Sequence, residues 1–115
     1  MILVIGGQAA GKRTYVRNHY GYTDQNMADA VINEMPVLYN LQDMVARAPE
    51  EADRLKDALL RKEVVIYTEV GSGIVPLDAN ERAMREAAGR LVNQLARHAE
   101  CVVRVICGLP QVLKG

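Results

Sequence analysis

Tryptophan and phenylalanine are both absent from this chain, which leaves five tyrosines as a thin supply of stacking platforms. Lys+Arg and Asp+Glu each total 14, so the formal net charge is zero. Single-stranded nucleic acids are bound through aromatic stacking and a basic groove, and duplexes through a basic excess; neither is available, and no nucleic-acid partner is expected. No apolar run approaches the ~20 residues of a membrane span. Met1-Ile2 runs directly into a strand-like segment with no signal-peptide pattern, so the expected location is cytoplasmic. Only two cysteines occur. Cys101 and Cys107 fall six residues apart in one expected strand, hence about 20 Å apart at strand rise. A disulfide requires Cα atoms within ~7 Å, so the two are expected to be unpaired. They are read as small buried hydrophobes sharing a face with Val103 and Val105. His19 and His98 show no metal-ligand spacing, His98 falls in the last turn of an expected helix, and no residue is assigned to a metal.

What is present is an ordinary globular core. Half of the 115 residues are hydrophobic, enough for a single domain over 1–115 that buries roughly two thirds of its unfolded surface. The chain opens on Ile2-Leu3-Val4-Ile5, a short continuous apolar run of the kind buried on both faces of a parallel sheet. It breaks into Gly6-Gly7-Gln8-Ala9-Ala10-Gly11-Lys12, which fits G-x-x-x-x-G-K. In that pattern glycines let the backbone wrap, so that successive N–H groups face phosphate oxygens. Lys12 adds a point charge, and the helix starting there adds its positive dipole end. Gly6 to Thr14 is therefore the candidate nucleotide-phosphate site; a glycine-rich turn that binds nothing is the alternative. The residue after the lysine, normally a hydroxyl that holds Mg²⁺, is Arg13. Thr14, one place on, is turned by about 100° on a helix.

Beyond the loop, Lys12–Tyr20 is expected as a short helix ended by Gly21. Met27, Val31 and Met35 recur at helical spacing up to Pro36, which predicts a second helix. Val37-Leu38-Tyr39 reads as an inner strand, and Leu41 to Ala48 as helix. Pro49-Glu50-Glu51 suits a further helix start, with Glu50/Arg54 and Asp57/Arg61 as i,i+4 pairs. Val64-Val65-Ile66-Tyr67 is the next buried strand, followed by a long helix near 80–99, a strand at 101–106 and a small edge strand containing Pro110. Strands alternating with helices predict a three-layer α/β domain with a mostly parallel sheet of about four to five strands. Ligands of such sheets bind beyond the carboxyl ends of strands. Glu69, followed by Gly71-Ser72-Gly73 at such an end, is thus a candidate catalytic or metal-positioning acid; a solvated loop acid fits the spacing equally.

Glu69-Val70-Gly71-Ser72-Gly73-Ile74-Val75-Pro76, Ala88-Gly89-Arg90 and Gly108-Leu109-Pro110, together with the N-terminal glycine-lysine loop, resemble the adenosylcobinamide kinase/adenosylcobinamide-phosphate guanylyltransferase family of cobalamin biosynthesis. The resemblance covers Met1–Lys12 and about 64–114. It implies a RecA-like P-loop NTPase fold and GTP or ATP, with Mg²⁺, as phosphoryl donor to a corrinoid aminopropanol hydroxyl. It also implies GMP transfer as a second reaction, and self-association into a homo-oligomer. Lys12 and Glu69 are the catalytic candidates on this reading. The chain departs from the family's pattern in several places. The segment that carries a GMP-accepting histidine is here Gly21–Pro36 and has no histidine. The middle strand ends in Tyr39-Asn40 instead of an acid, and Asn93-Gln94 sits one place later than the family's pair. Two functional classes follow: an NTP-dependent kinase lacking the guanylyltransferase half, or a catalytically reduced nucleotide- or corrinoid-binding module acting as regulator or partner subunit.

Overall fold

In the computed structural model of the chain, which describes residues 1–69 and 78–115, the apolar runs form strands of one sheet. These are β1 (Ile2–Gly6), β2 (Met27–Asp29), β3 (Val37–Tyr39), β4 (Val64–Thr68), β5 (Cys101–Ile106) and β6 (Leu109–Lys114). Their spatial order is β2-β3-β4-β1-β5-β6. The first five are parallel, and β6 returns antiparallel to β5. The sheet therefore has six strands, where four or five were expected. The extra strand is β2, carved from the segment whose spacing predicted a helix. Met27 and Ala28 are adjacent and both buried, as a strand covered on two faces requires, whereas Val31 and Ile32 are exposed. The turn that follows is tied down by Lys62, whose Nζ donates to the carbonyls of Asn33 and, at 2.8 Å, Met35.

Alternation along the strands splits the core into two layers. Leu3, Val65 and Val102 pack with the helices α2 (Leu41–Arg47), α3 (Lys56–Leu60) and α4 (Ala79–His98). Val4, Ile66, Val103 and Val105 pack with Val16 of α1 (Lys12–Tyr20) on the opposite face. Ala87, Ala88, Leu91 and Leu95 of α4 and Ala99 just beyond it are buried, Met84 one turn earlier only half so, and His98 is the last residue of the helix. The helix expected from Pro49 is instead 3₁₀ over Pro49–Leu55 before α3 begins. In a 3₁₀ helix residues three apart eclipse. Arg54 accordingly meets Glu51 at 3.9 Å and not Glu50.

Cys107 corrects the reading of the last strand. It lies in the two-residue turn between β5 and β6, where Cys107 and Gly108 have φ of 51° and 76°. Two positive φ values make the hairpin turn whose twist matches its strands. Cys107 is exposed there, not a buried neighbour of Val105; both cysteines are free. No helix among the described residues is long and apolar enough to cross a membrane.

Candidate functional site

β1 lies between β4 and β5; its own connection runs toward β2 while that of its neighbour β4 runs the other way to β5, and the Gly6–Lys12 loop emerges at this switch point. Gly6 is required by packing: a Cβ there would sit 2.6 Å from the Val105 carbonyl oxygen and 3.2 Å from the Lys12 stem. Ala9 and Gly11 take left-handed φ of 58° and 93°, and Gly11 starts α1. The loop is braced from β5–β6, because the Gly108 N–H donates to the Ala10 carbonyl at 2.8 Å. Lys12 is buried, 7% exposed. Its ammonium crosses the loop to donate to the Gly7 carbonyl at 2.5 Å. Burial lowers its pKa from the usual lysine value, Glu69 partly offsets this, and Arg13 adds to the lowering.

Beside the loop opens a cavity of about 340 Å³. Of the sequence-predicted residues, Gln8, Ala9, Gly11, Lys12, Arg13 and Thr14 line it; Gly6, Gly7 and Ala10 shape the loop behind. Sequence reasoning missed Arg17, Tyr39, Asn40 and Thr68, which also line it. Arg13 stacks over the Tyr39 ring, 4.6 Å from its centroid. Arg17 donates to Thr14 Oγ1 at 3.2 Å and pairs with Asp24 at 2.7 Å. Among the described residues three cations and no carboxylate line this space, so it suits a polyanion.

The same lining does not build a Mg²⁺ cage. Mg²⁺ is held through one or two carboxylates plus substrate phosphates. Here no acid lines the cavity, and among the described residues no three His, Cys, Asp or Glu converge on one point. Asp29 is engaged by Asn40 at 2.8 Å.

Glu69 lies at the end of β4. Its N–H donates to the Gly6 carbonyl at 2.8 Å, and its carboxylate pairs with Arg104 of β5 at 3.2 Å. Arg104 was legible only as the lone charge interrupting Cys-Val-Val-Arg-Val-Ile. The Val70–Pro76 string of the resemblance lies outside the described residues.

A mostly parallel α/β sheet carrying a glycine-lysine loop into a helix at its switch point is the fold of the P-loop nucleoside-triphosphate-binding proteins. Within that class, the chain belongs to the cobinamide kinase / cobinamide phosphate guanyltransferase family, whose sequence model matches residues 25–113. Membership assigns it to cobalamin biosynthesis, among transferases that use nucleoside triphosphates and corrinoids. The phosphate loop precedes the matched span and stands on its own geometry. No curated protein matches the sequence.

Proposed function

We propose that the chain is a GTP- or ATP-dependent cobinamide kinase, with Gly6 to Thr14 holding the triphosphate. The observation that carries this is the cationic, acid-free cavity beside a buried Lys12. In the transfer, the acceptor hydroxyl oxygen bonds to the γ-phosphorus as the bond to the bridging oxygen breaks, and the nucleoside diphosphate leaves. The hydroxyl proton passes to Glu69. Lys12 and the loop amides offset charge on the phosphoryl oxygens, since this reaction is catalysed chiefly by positioning and electrostatics. The guanylyltransferase reaction is not assigned, because 21–36 holds no histidine to accept GMP.

The test is calorimetry with GTP, ATP and cobinamide, with and without Mg²⁺, followed by analysis for phosphorylated cobinamide. Glu69→Gln is expected to keep nucleotide binding and abolish turnover; turnover that survives removes Glu69 from the role. The second reading, a binding module without turnover, is favoured by Arg104 holding the Glu69 carboxylate and by Arg13 where the metal hydroxyl belongs. It predicts ligand binding with no phosphorylated product under any of these conditions. Assembly into a homo-oligomer belongs to the same proposal. Leu109, Val112 and Leu113 of β6, 71%, 61% and 53% exposed, support it, and sedimentation velocity tests it.

A further inference from the structure

A second cavity, also about 340 Å³, opens on the other face of the sheet, between α2 and α4. The end of β4 separates the two cavities. Ile66 and Thr68 line the loop side and Tyr67 lines the helix side, as alternation along a strand requires. Their chemistry differs. Among the described residues the charged side chains of the loop-side cavity are all cations, whereas the second is lined by Asp43 and Glu81, by Arg85, and by an apolar wall of Ala46 and Met84. Two carboxylates repel phosphate. They accept hydrogen bonds from amide N–H and hydroxyl groups, and the wall suits aliphatic carbon.

From this arrangement we infer that the α2–α4 cavity receives the neutral, amide- and hydroxyl-bearing arm of the acceptor. Donor phosphate and acceptor alcohol then approach the end of β4 from opposite faces, with Glu69 next in the chain at their junction. The inference rests on the kinase reading and adds where the acceptor sits. Glu69 is electrostatically coupled to both sides. Burial chiefly raises the Tyr67 phenol, with the Glu69 charge adding and Arg85 opposing, and the same Glu69 charge partly offsets the lowering that burial imposes on Lys12. A neighbouring groove of about 570 Å³, which shares Ala46 and Met84 and extends to Arg90, leaves room along α4 for the bulk of a large acceptor.

The experiment is amide chemical-shift mapping on the labelled chain with cobinamide and, separately, GTP, repeated on Ala46→Trp and Asp43→Ala. Cobinamide is expected to move resonances of 42–46 and 81–88, and GTP those of 7–17. Ala46 is exposed on α2, so its replacement by tryptophan fills the cavity without entering the core. Ala46→Trp is expected to weaken cobinamide binding about tenfold or more, with the GTP pattern unchanged as the check on folding. Should that variant not fold, Asp43→Ala carries the test alone through a several-fold loss. Cobinamide shifts confined to 8–17 and 39–40 would move the acceptor to the loop-side cavity and overturn the inference, leaving the kinase reading intact. Unchanged cobinamide affinity in both variants also overturns it. An absence of any cobinamide shift, with GTP still moving the Lys12 region, sinks the corrinoid kinase reading and this inference together.

Discussion

Lys12 is largely buried beside the cavity, and the Gly7 carbonyl and the charge of Glu69 stabilise its ammonium there. On the proposed function a bound triphosphate would add countercharge, and a charge-assisted hydrogen bond contributes roughly 1.5–3 kcal/mol. Lys12→Ala is therefore expected to remove most of the thermal stabilisation that GTP or ATP gives. A nucleotide-induced shift equal to wild type would take Lys12 out of the site. Gly6 offers a purely steric counterpart. A methyl group there meets the Val105 carbonyl oxygen, a backbone atom held by the β1–β5 pairing, so relief requires the strands to part. Overpacking of this kind costs about 1–3 kcal/mol, and Gly6→Ala is expected to lower the melting temperature by several degrees. Gly7→Ala is the control, since a Cβ at Gly7 meets nothing within 4 Å. Equal melting temperatures for the two variants would refute the packing argument for Gly6.

At the scale of elements, α4 depends on its first turn. Asp78 is the N-cap, and its Oδ1 accepts from the Glu81 N–H at 2.8 Å. Asp78→Ala is expected to cost about 1 kcal/mol and Asp78→Asn much less, measured by denaturant midpoint; equal losses in the two would remove the cap from the account. α4 was readable because its apolar stripe from Met84 to Ala99 repeats over about four turns. β1, β3 and β4 were readable because parallel strands buried on both faces are unbroken apolar runs, and β5 because Arg104 alone interrupts its own. The failures came where elements are too short to state a period. Over 27–35 the spacing of Met27, Val31 and Met35 mimics a helix although only Met27 of the three is buried, and pairing with β3 decided the outcome. Pro49–Leu55 carried a first-position proline and first-turn acids but no capping side chain at Ala48, and Ala52 tucks beneath α4 in a tighter coil. Of the candidate site, the loop was legible because its chemistry is local in sequence. Arg104, Tyr39 and Thr68 were not, because tertiary pairing alone brings them to residues 8–17 or to Glu69.

For the whole molecule, alkaline pH separates the free protein from the ligand-bound one. The lowered pKa of Lys12 means that just below pH 10.5 the unfolded chain binds more protons than the folded one, so this group makes stability rise with pH across that window. The tyrosines act in the opposite sense. Tyr20 and Tyr67 are raised chiefly by burial, and Tyr22 is pushed up to about 12 by burial and by its hydrogen bond to Glu63. Their contribution is fully present below pH 10 and is lost as pH climbs toward the folded-state values, because the unfolded phenols ionise first. The free protein should therefore hold or gain stability up to about pH 10 and lose it steeply above. Tyr22→Phe is expected to flatten part of the loss between pH 10 and 12. A triphosphate across the Lys12 ammonium raises that pKa and removes the Lys12 rise. At 100-fold over its dissociation constant it also adds ~2.7 kcal/mol, an increment that fades as the lysine finally deprotonates. Stability measured against pH with and without GTP should thus give curves that converge on the alkaline side. Parallel curves through that range would mean that the nucleotide does not sit on Lys12.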